Sequence, residues 1–284
     1  MDSITVNILQ WNSRSILPKK LDFEQMLFLE KIHIVALSET WLTSDCSFHI
    51  KNYNVFRQDR SDSYGGVAIL THRSIKAQIC PTRISNSGIE IVHVKIFNCN
   101  IFQDLISVYC PPNIRTVQSD WDSLLSVAHS KTLILGDFNA HHSNWSNITN
   151  QRGNQVFDSM IDNNFIILNN GKSTRFKLVN SILQESTPDI SMVSSDVGLQ
   201  FNWNVSNDSL GSDHMMIKIA TSNNFSPQLI KKRYFKKANW LGYRQFIEEA
   251  LKDFKVYSDP EEVYDFFFRR FKQSCRFKYT IFQI

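Results

Sequence analysis

Short apolar runs separated by longer polar stretches dominate the chain, and they predict strands more often than helices. Ile4–Leu9 reads as a strand that delivers Gln10-Trp11-Asn12-Ser13-Arg14. Phe23, Met26, Leu27 and Leu29 recur at helical spacing, which predicts a helix over Leu21–Glu30 with Pro18 near its start. Ile32–Leu37 is apolar but for His33, so it reads as a buried strand, and Ser38-Glu39-Thr40-Trp41 follows it. Further strands are predicted at Tyr53–Phe56, at Val67–Leu70 behind Gly65-Gly66, at Ile89–Ile96 and at Phe102–Val108. The last of these is stopped by Pro111-Pro112, which holds Tyr109 at its end. Trp121–Ala128 predicts a helix. Leu133-Ile134-Leu135 is again a buried strand, with Gly136 expected to turn the backbone out of the sheet. Asp137 and Asn139, two apart on an extended chain, would then face one spot. Gln151–Asn154 opens another helix with Val156, Phe157, Met160 and Ile161 on its apolar side. Strands at Phe165–Leu168, behind Asp189, at Asn202–Val205 and behind Ser212-Asp213-His214 complete the pattern.

With 284 residues, 42% of them hydrophobic, and only nine Gly and seven Pro, the chain has enough apolar material for one large core plus an appendage. No run reaches the ~18 apolar residues of a membrane span. Met1–Ile8 lacks a basic leader, so no signal peptide and no membrane partner are expected, and the localisation expected is nuclear or cytoplasmic. Five scattered cysteines without C-x-x-C spacing fit free thiols better than disulfides or a zinc site. The charge is uneven. Lys231–Ile284 carries thirteen Lys/Arg and seven Asp/Glu, net +6 of a whole-chain +4, which leaves residues 1–230 at about −2. The first part is therefore no basic glove for nucleic acid. Lys231-Lys232-Arg233 with Lys236-Lys237 is a positive hinge.

The candidate chemistry sits where strands end. Asp137, an acceptor-only carboxylate, and Asn139, donor and acceptor at once, suit a water or a phosphate. Glu39 is a candidate ligand for a hard metal, because Mg²⁺ takes one or two carboxylates plus waters and phosphate oxygens. Asn12 has the same setting at another strand end. Tyr109 and Arg115 are candidate phosphate contacts. Asp213-His214 joins a carboxylate to an imidazole able to donate a proton. Taken singly, each has a plain alternative: a helix cap or turn for Glu39, a core tyrosine, a surface arginine, a turn Asp/Asn.

The set is more specific than its members. Asn12, Glu39, Tyr109-x-Pro-Pro, Gly136-Asp137-x-Asn139, Asp189 and Ser212-Asp213-His214, in that order and each at a predicted strand end, resemble the endonuclease/exonuclease/phosphatase family over residues 1–220. Gly136-Asp-Phe-Asn-Ala-His141-His142, followed by Trp145 and Arg152-Gly153, is most similar to the apurinic/apyrimidinic-like endonuclease domain of non-LTR (LINE-type, jockey-like) retrotransposons. Phe235–Trp240 through Phe246 resembles the segment that leads from that domain to the reverse transcriptase.

The resemblance implies an α+β fold, a DNase I-like four-layer sandwich of two packed sheets flanked by helices, over 1–222. A basic linker and helical extension would occupy 223–284, with apolar stripes from Tyr243 to Phe254 and from Tyr264 to Phe271. It implies a Mg²⁺-dependent (or Mn²⁺-dependent) endonuclease that nicks double-stranded DNA and leaves a 3′-hydroxyl to prime reverse transcription. Glu39, with Asn12 and Asp213, would hold the metal. Asp137 would deprotonate the attacking water, Asn139 would fix water or phosphate, and His214, oriented by Asp189, would stabilise the phosphoryl charge. Tyr109 would touch the phosphate near the leaving group. Arg115, Ser212, His141 and His142 would bind substrate, and the Asn, His and Trp residues of 141–150, Trp145 among them, could enter a DNA groove; a solvated loop is the alternative there. Two features depart from the pattern. Arg14 stands where many relatives carry an acidic or amide residue, and no Tyr-x-Asp-Asp occurs through Ile284, so a reverse transcriptase domain is expected downstream in the full element. The competing readings are another metal-dependent phosphoesterase of the same fold and an inactive DNA-binding remnant.

Overall fold

The computed structural model describes residues 5–62, 64–86, 88–97, 99–127, 131–221 and 240–252. The chain divides into two compact units, Met1–Leu229 and Ile230–Ile284. In the first, one six-stranded sheet contains β1 (Asn7–Asn12), β2 (Ile34–Ser38), β3 (Tyr53–Gln58), β4 (Val67–His72), β13 (Phe201–Val205) and β14 (Ile217–Thr221), in the order β13-β14-β1-β2-β4-β3. The second contains β5 (Ala77–Cys80), β6 (Glu90–Ile96), β7 (Asp104–Tyr109), β8 (Thr132–Asp137), β9 (Phe165–Ile167) and β12 (Asp189–Ser194), in the order β5-β6-β7-β8-β12-β9. A separate hairpin pairs β10 (Arg175–Val179) with β11 (Ile182–Ser186).

Each large sheet has one parallel pair at its centre, β1 with β2 and β7 with β8, and antiparallel strands on either side. Ligands in open sheets lie beyond the carboxyl ends of parallel strands. Here those ends are Asn12, Ser38, Tyr109 and Asp137. β2, β7 and β8 are buried at every position, which is why their sequences are mostly apolar and do not alternate with polar residues.

Alternate residues of these strands fill three cores. Ile8, Ile34, Val92, Leu105, Leu133 and Ile217 meet between the sheets. On the outer face of the first sheet, α1 (Lys20–Leu29) lays Phe23, Met26 and Leu27 over Leu9, Val35 and Leu37. On the outer face of the second, α2 (Gln118–Ser126) and α3 (Gln151–Asp162) place Trp121, Leu124, Val156 and Met160 over Ile106, Ile134 and Met192. Helix, sheet, sheet and helices make the four layers. In the second unit α4 spans Trp240–Leu251, across the first of the two expected apolar stripes. The second stripe lies outside the described residues. No helix among the described residues is long and apolar enough to cross a membrane.

Several local expectations change. Gly136 does not leave the sheet: it stays in β8, paired with Val108 on one side and Ile190 on the other. It is required there for space, since a Cβ would stand 1.9 Å from the Val108 carbonyl oxygen. Leu29, expected on the buried side of α1, is exposed, while Pro18 forms a short turn of helix at Leu17–Lys19. β5 and the β10–β11 hairpin had no apolar run to reveal them. The hairpin turns on Asn180 and Ser181, both with positive φ (49° and 65°), the signature of a tight primed turn.

Candidate active site

Both parallel pairs end on the same polar cluster. Asn12, the last residue of β1, donates from its amide nitrogen to Oε1 of Glu39 (2.9 Å) and to Oδ2 of Asp137 (2.8 Å), and so links the two sheets. Glu39 follows β2 in a left-handed conformation (φ 48°), uncommon for a residue with a side chain and often seen where a site fixes a geometry. Its Oε2 accepts from the Trp41 indole at 3.3 Å. Asp137 and Asp189 are direct partners across β8 and β12, so their side chains share one face. His214 closes the group, its Nδ1 on Asp189 Oδ2 at 2.8 Å and its Nε2 3.9 Å from Asp137 Oδ2. Asp137, Asp189 and His214 are all buried.

The floor is built from polar residues aimed at backbone. Ser38 Oγ donates to the Val108 carbonyl and accepts from the Asp137 N–H. Gln10 donates to the carbonyls of Gly136 and Ile190. Thr174 donates to Asp189 Oδ2 at 2.6 Å, and Asn169 to the Asp189 carbonyl. Ser212 ties the Asn12 carbonyl to the His214 N–H, and Trp11 donates to the His214 carbonyl. The main chain at Asn12, Asp137, Asp189 and His214 is thus held in each case by a side chain from a neighbouring segment.

Burial first, then the charges of Asp189 and Glu39, push Asp137 up to about 7, with His214 opposing. Burial works to lower His214, but Asp189 above all, with Asp137 and Asp213, overrides it and leaves it at about 9. Tyr109 is held protonated far above its ordinary range by burial and by the charges of Glu39 and Asp137. A folded value above the unfolded one adds stability that is complete below the unfolded value and lost as pH climbs through the folded one. In EDTA, the stability contributed by His214 is therefore expected to be full below pH 6.5 and to fall as pH rises through about 9. Denaturant titrations across that window check this. The fall should flatten in Asp189→Asn, and an identical profile in that variant would contradict the pairing.

The donor set is one of oxygens, and it fits a hard divalent cation. The carboxylates of Asp189 and Glu39 lie close enough to Asp137 to raise its cost of ionisation, a burden a cation relieves. Asp213 stands apart from that set. It is engaged by Arg14 (Oδ1, 3.1 Å) and by Arg175 (Oδ2, 2.8 Å), so it turns to two guanidinium groups and not to Glu39.

The other expected residues divide. Asn139 is not extended: its φ is 46°, its N–H donates to Asp137 Oδ1, and its amide donates to the Cys110 carbonyl. The pair is a local turn that fixes the Asp137 rotamer, because β8 ends at Asp137 and the extended geometry stops with it. Trp145 is buried, its indole donating to the Ala140 carbonyl, so it anchors its loop and does not reach into a groove. His142 stacks on Phe157 at 4.2 Å between ring centres, and His141 approaches Ser146. Arg115 is exposed, with its backbone carbonyl accepting from Asn86.

One positioning residue escaped the sequence reading. From the first turn of α3, Arg152 spreads its guanidinium over six carbonyls, those of Cys110, Pro111, Pro112, Ile114, Phe138 and Asn139. It clamps the segments that follow β7 and β8, which carry Tyr109 and Asp137. Gly153 beside it allows the close approach: a Cβ there would lie 1.7 Å from the His141 carbonyl oxygen. Only the Arg152-Gly153 pair, following the Asp137 loop, hinted at this. A lysine has fewer donors and no planar fork, so Arg152→Lys is expected to cost about 2 kcal/mol in urea unfolding and to slow turnover. Unchanged stability and rate would show the clamp to be dispensable.

Comparison with known proteins came to the same place. Residues 103–218 match the family model described as endonuclease-reverse transcriptase. The chain is 24% identical over 196 residues to the RNA-directed DNA polymerase from mobile element jockey of Drosophila funebris, covering 68% of this chain and 21% of that protein. It is 26% identical over 186 residues to the probable RNA-directed DNA polymerase from transposon BS of Drosophila melanogaster, covering 62% and 20%. The chain thus spans about a fifth of the curated relatives it matches. Among solved structures it is similar to the endonuclease domain of TRAS1, a telomere-specific non-LTR retrotransposon, with TM-score 0.65, 20% identity and coverage of 76% of this chain and 98% of that one. The AP endonuclease LMAP of Leishmania major gives TM-score 0.61 at 13% identity, covering 78% and 88%.

Proposed function

We propose that this chain belongs to the endonuclease/exonuclease/phosphatase family on its non-LTR retrotransposon side and cleaves phosphodiester bonds of double-stranded DNA with the help of Mg²⁺. The observation that carries the reading is the convergence of Asn12, Glu39, Asp137, Asp189 and His214 beyond the carboxyl ends of both parallel strand pairs. Glu39 and Asn12 are the proposed holders of the cation, which when bound supplies Lewis-acid polarisation of the phosphoryl oxygen. Asp213 is left out of that role because Arg14 and Arg175 engage it.

The rest is the work of this chain's own groups. Asp137, raised toward neutrality, accepts the proton of the attacking water. The Asn139 N–H donates to that carboxylate, and Ser38 Oγ accepts from the Asp137 backbone N–H. Asp189 keeps His214 protonated and fixes its ring, so that Nε2 donates to a phosphoryl oxygen as negative charge grows there. Tyr109, kept protonated, donates near the leaving oxygen. The product is a nick bearing a 3′-hydroxyl, ready to prime a reverse transcriptase domain of the full-length element.

End-group analysis tests the product. Nicks made with Mg²⁺ are expected to be extended directly by a DNA polymerase, without removal of a 3′-phosphate. Nicks that need such removal would overturn the proposed bond of attack. Release of inorganic phosphate from inositol polyphosphates, with duplex DNA untouched, would overturn the substrate.

A further inference from the structure

At the other end of β7 from Tyr109, three ligand-type side chains meet outside the candidate active site. Cys80 ends β5, His93 lies in β6 and Asp104 begins β7. Cys80 and His93 are direct partners, His93 pairs with Ile106, and Asp104 precedes Ile106 by two, so all three occupy one face of the sheet. One ligand atom from each lies within 4.8 Å of the others. Five residues along β7 put roughly 17 Å between this cluster and Tyr109. We propose that Cys80, His93 and Asp104 form a binding site for Zn²⁺ that clips the edge strand β5 to the sheet.

The chemistry is that of a borderline transition metal and not of Mg²⁺. Thiolate, imidazole and carboxylate are zinc ligands, and a fourth position is left to water on the side where Cys80 is part-exposed. His93 and Asp104 are buried. The imidazole is already oriented for ligation: Thr82 Oγ1 meets Nδ1 at 2.8 Å, while Nε2 faces Asp104 at 2.8 Å. Metal binding would open the Nε2–Asp104 hydrogen bond, release the Cys80 thiol proton to solvent and move the imidazole proton from Nε2 to Nδ1, where it is donated to Thr82, the outer contact that metal-bound histidines usually have. One thiolate and one carboxylate balance the charge of the ion. Closure to a tetrahedral site requires the ligand atoms to draw in to roughly 3.5 Å from one another. A nucleophilic cysteine is disfavoured by the same geometry, because both ring nitrogens are taken and neither is left for the thiol proton.

The test uses the full chain, reduced and stripped of metal, titrated with Co²⁺ and then Zn²⁺. The expected result is a thiolate-to-cobalt charge-transfer band that saturates at one equivalent and is erased by one equivalent of Zn²⁺. Cys80→Ser should lose the band while still nicking DNA with Mg²⁺, and Thr82→Val should weaken Zn²⁺ binding about tenfold. Glu39→Gln should keep the band, which separates this site from the active-site carboxylates. No band in the unaltered protein, or a band that survives Cys80→Ser, would overturn the proposal.

Discussion

Asp137→Asn is expected to lower the rate of DNA cleavage by about 10³-fold while leaving the protein folded. The substitution keeps the shape and removes the base. It also removes one of two acceptors, and the native carboxylate uses both, Oδ1 for the Asn139 N–H and Oδ2 for the Asn12 amide. The asparagine can satisfy only one of them. Against that loss, a buried charge that repels Asp189 and Glu39 disappears. The opposing effects leave stability at neutral pH near that of the parent, so single-turnover cleavage measured beside a thermal melt isolates the chemical role. Cleavage within tenfold of the parent would rule Asp137 out as the base.

The largest expected effect on stability comes from the residue before it. Gly136→Ala places a Cβ 1.9 Å from the Val108 carbonyl oxygen, a backbone atom that cannot rotate away. The β7–β8 pairing must part locally, and with it the register that sets Tyr109 opposite Asp137. We expect a loss of about 3 kcal/mol, the scale of overpacking a well-filled core. In a domain of this size that is a fall of roughly 6–12 °C in Tm. Because the strain sits one residue from the proposed base, cleavage by the folded fraction should fall as well. A variant as stable as the parent would mean that the sheet absorbs a side chain here at no cost.

The sequence was most legible where burial is continuous. β2, β7 and β8 are mostly apolar because both faces are covered, so their ends, and the polar residues placed there, could be located without a structure. Edge and hairpin strands were less visible. β5 and β11 bury none of their residues fully and carry no apolar run. Among site residues, Asn12, Glu39, Asp137, Asp189 and His214 were named in advance because each follows or begins such a run. Gln10, Ser38, Thr174 and Arg152 were not, because their partners are carbonyls, an N–H and a carboxylate on strands distant in sequence, and no local pattern records such a contact. Asn139 and Trp145 show the converse. Their residue types suggested solvent-facing roles, yet one completes a turn against Asp137 and the other fills the core under α3.

Arg14 is half exposed and pairs with Asp213, which Arg175 also holds, so two guanidinium groups border the site. Such a border suits an anionic backbone approaching His214.

The most direct test of the central claim is the conversion of supercoiled to open-circular plasmid by the purified 284-residue chain with Mg²⁺, run beside EDTA and Asp137→Asn. Nicking that requires both the metal and the Asp137 carboxylate is the expected result. A folded protein that leaves the plasmid supercoiled, or nicks it equally well in EDTA or without that carboxylate, would contradict the account.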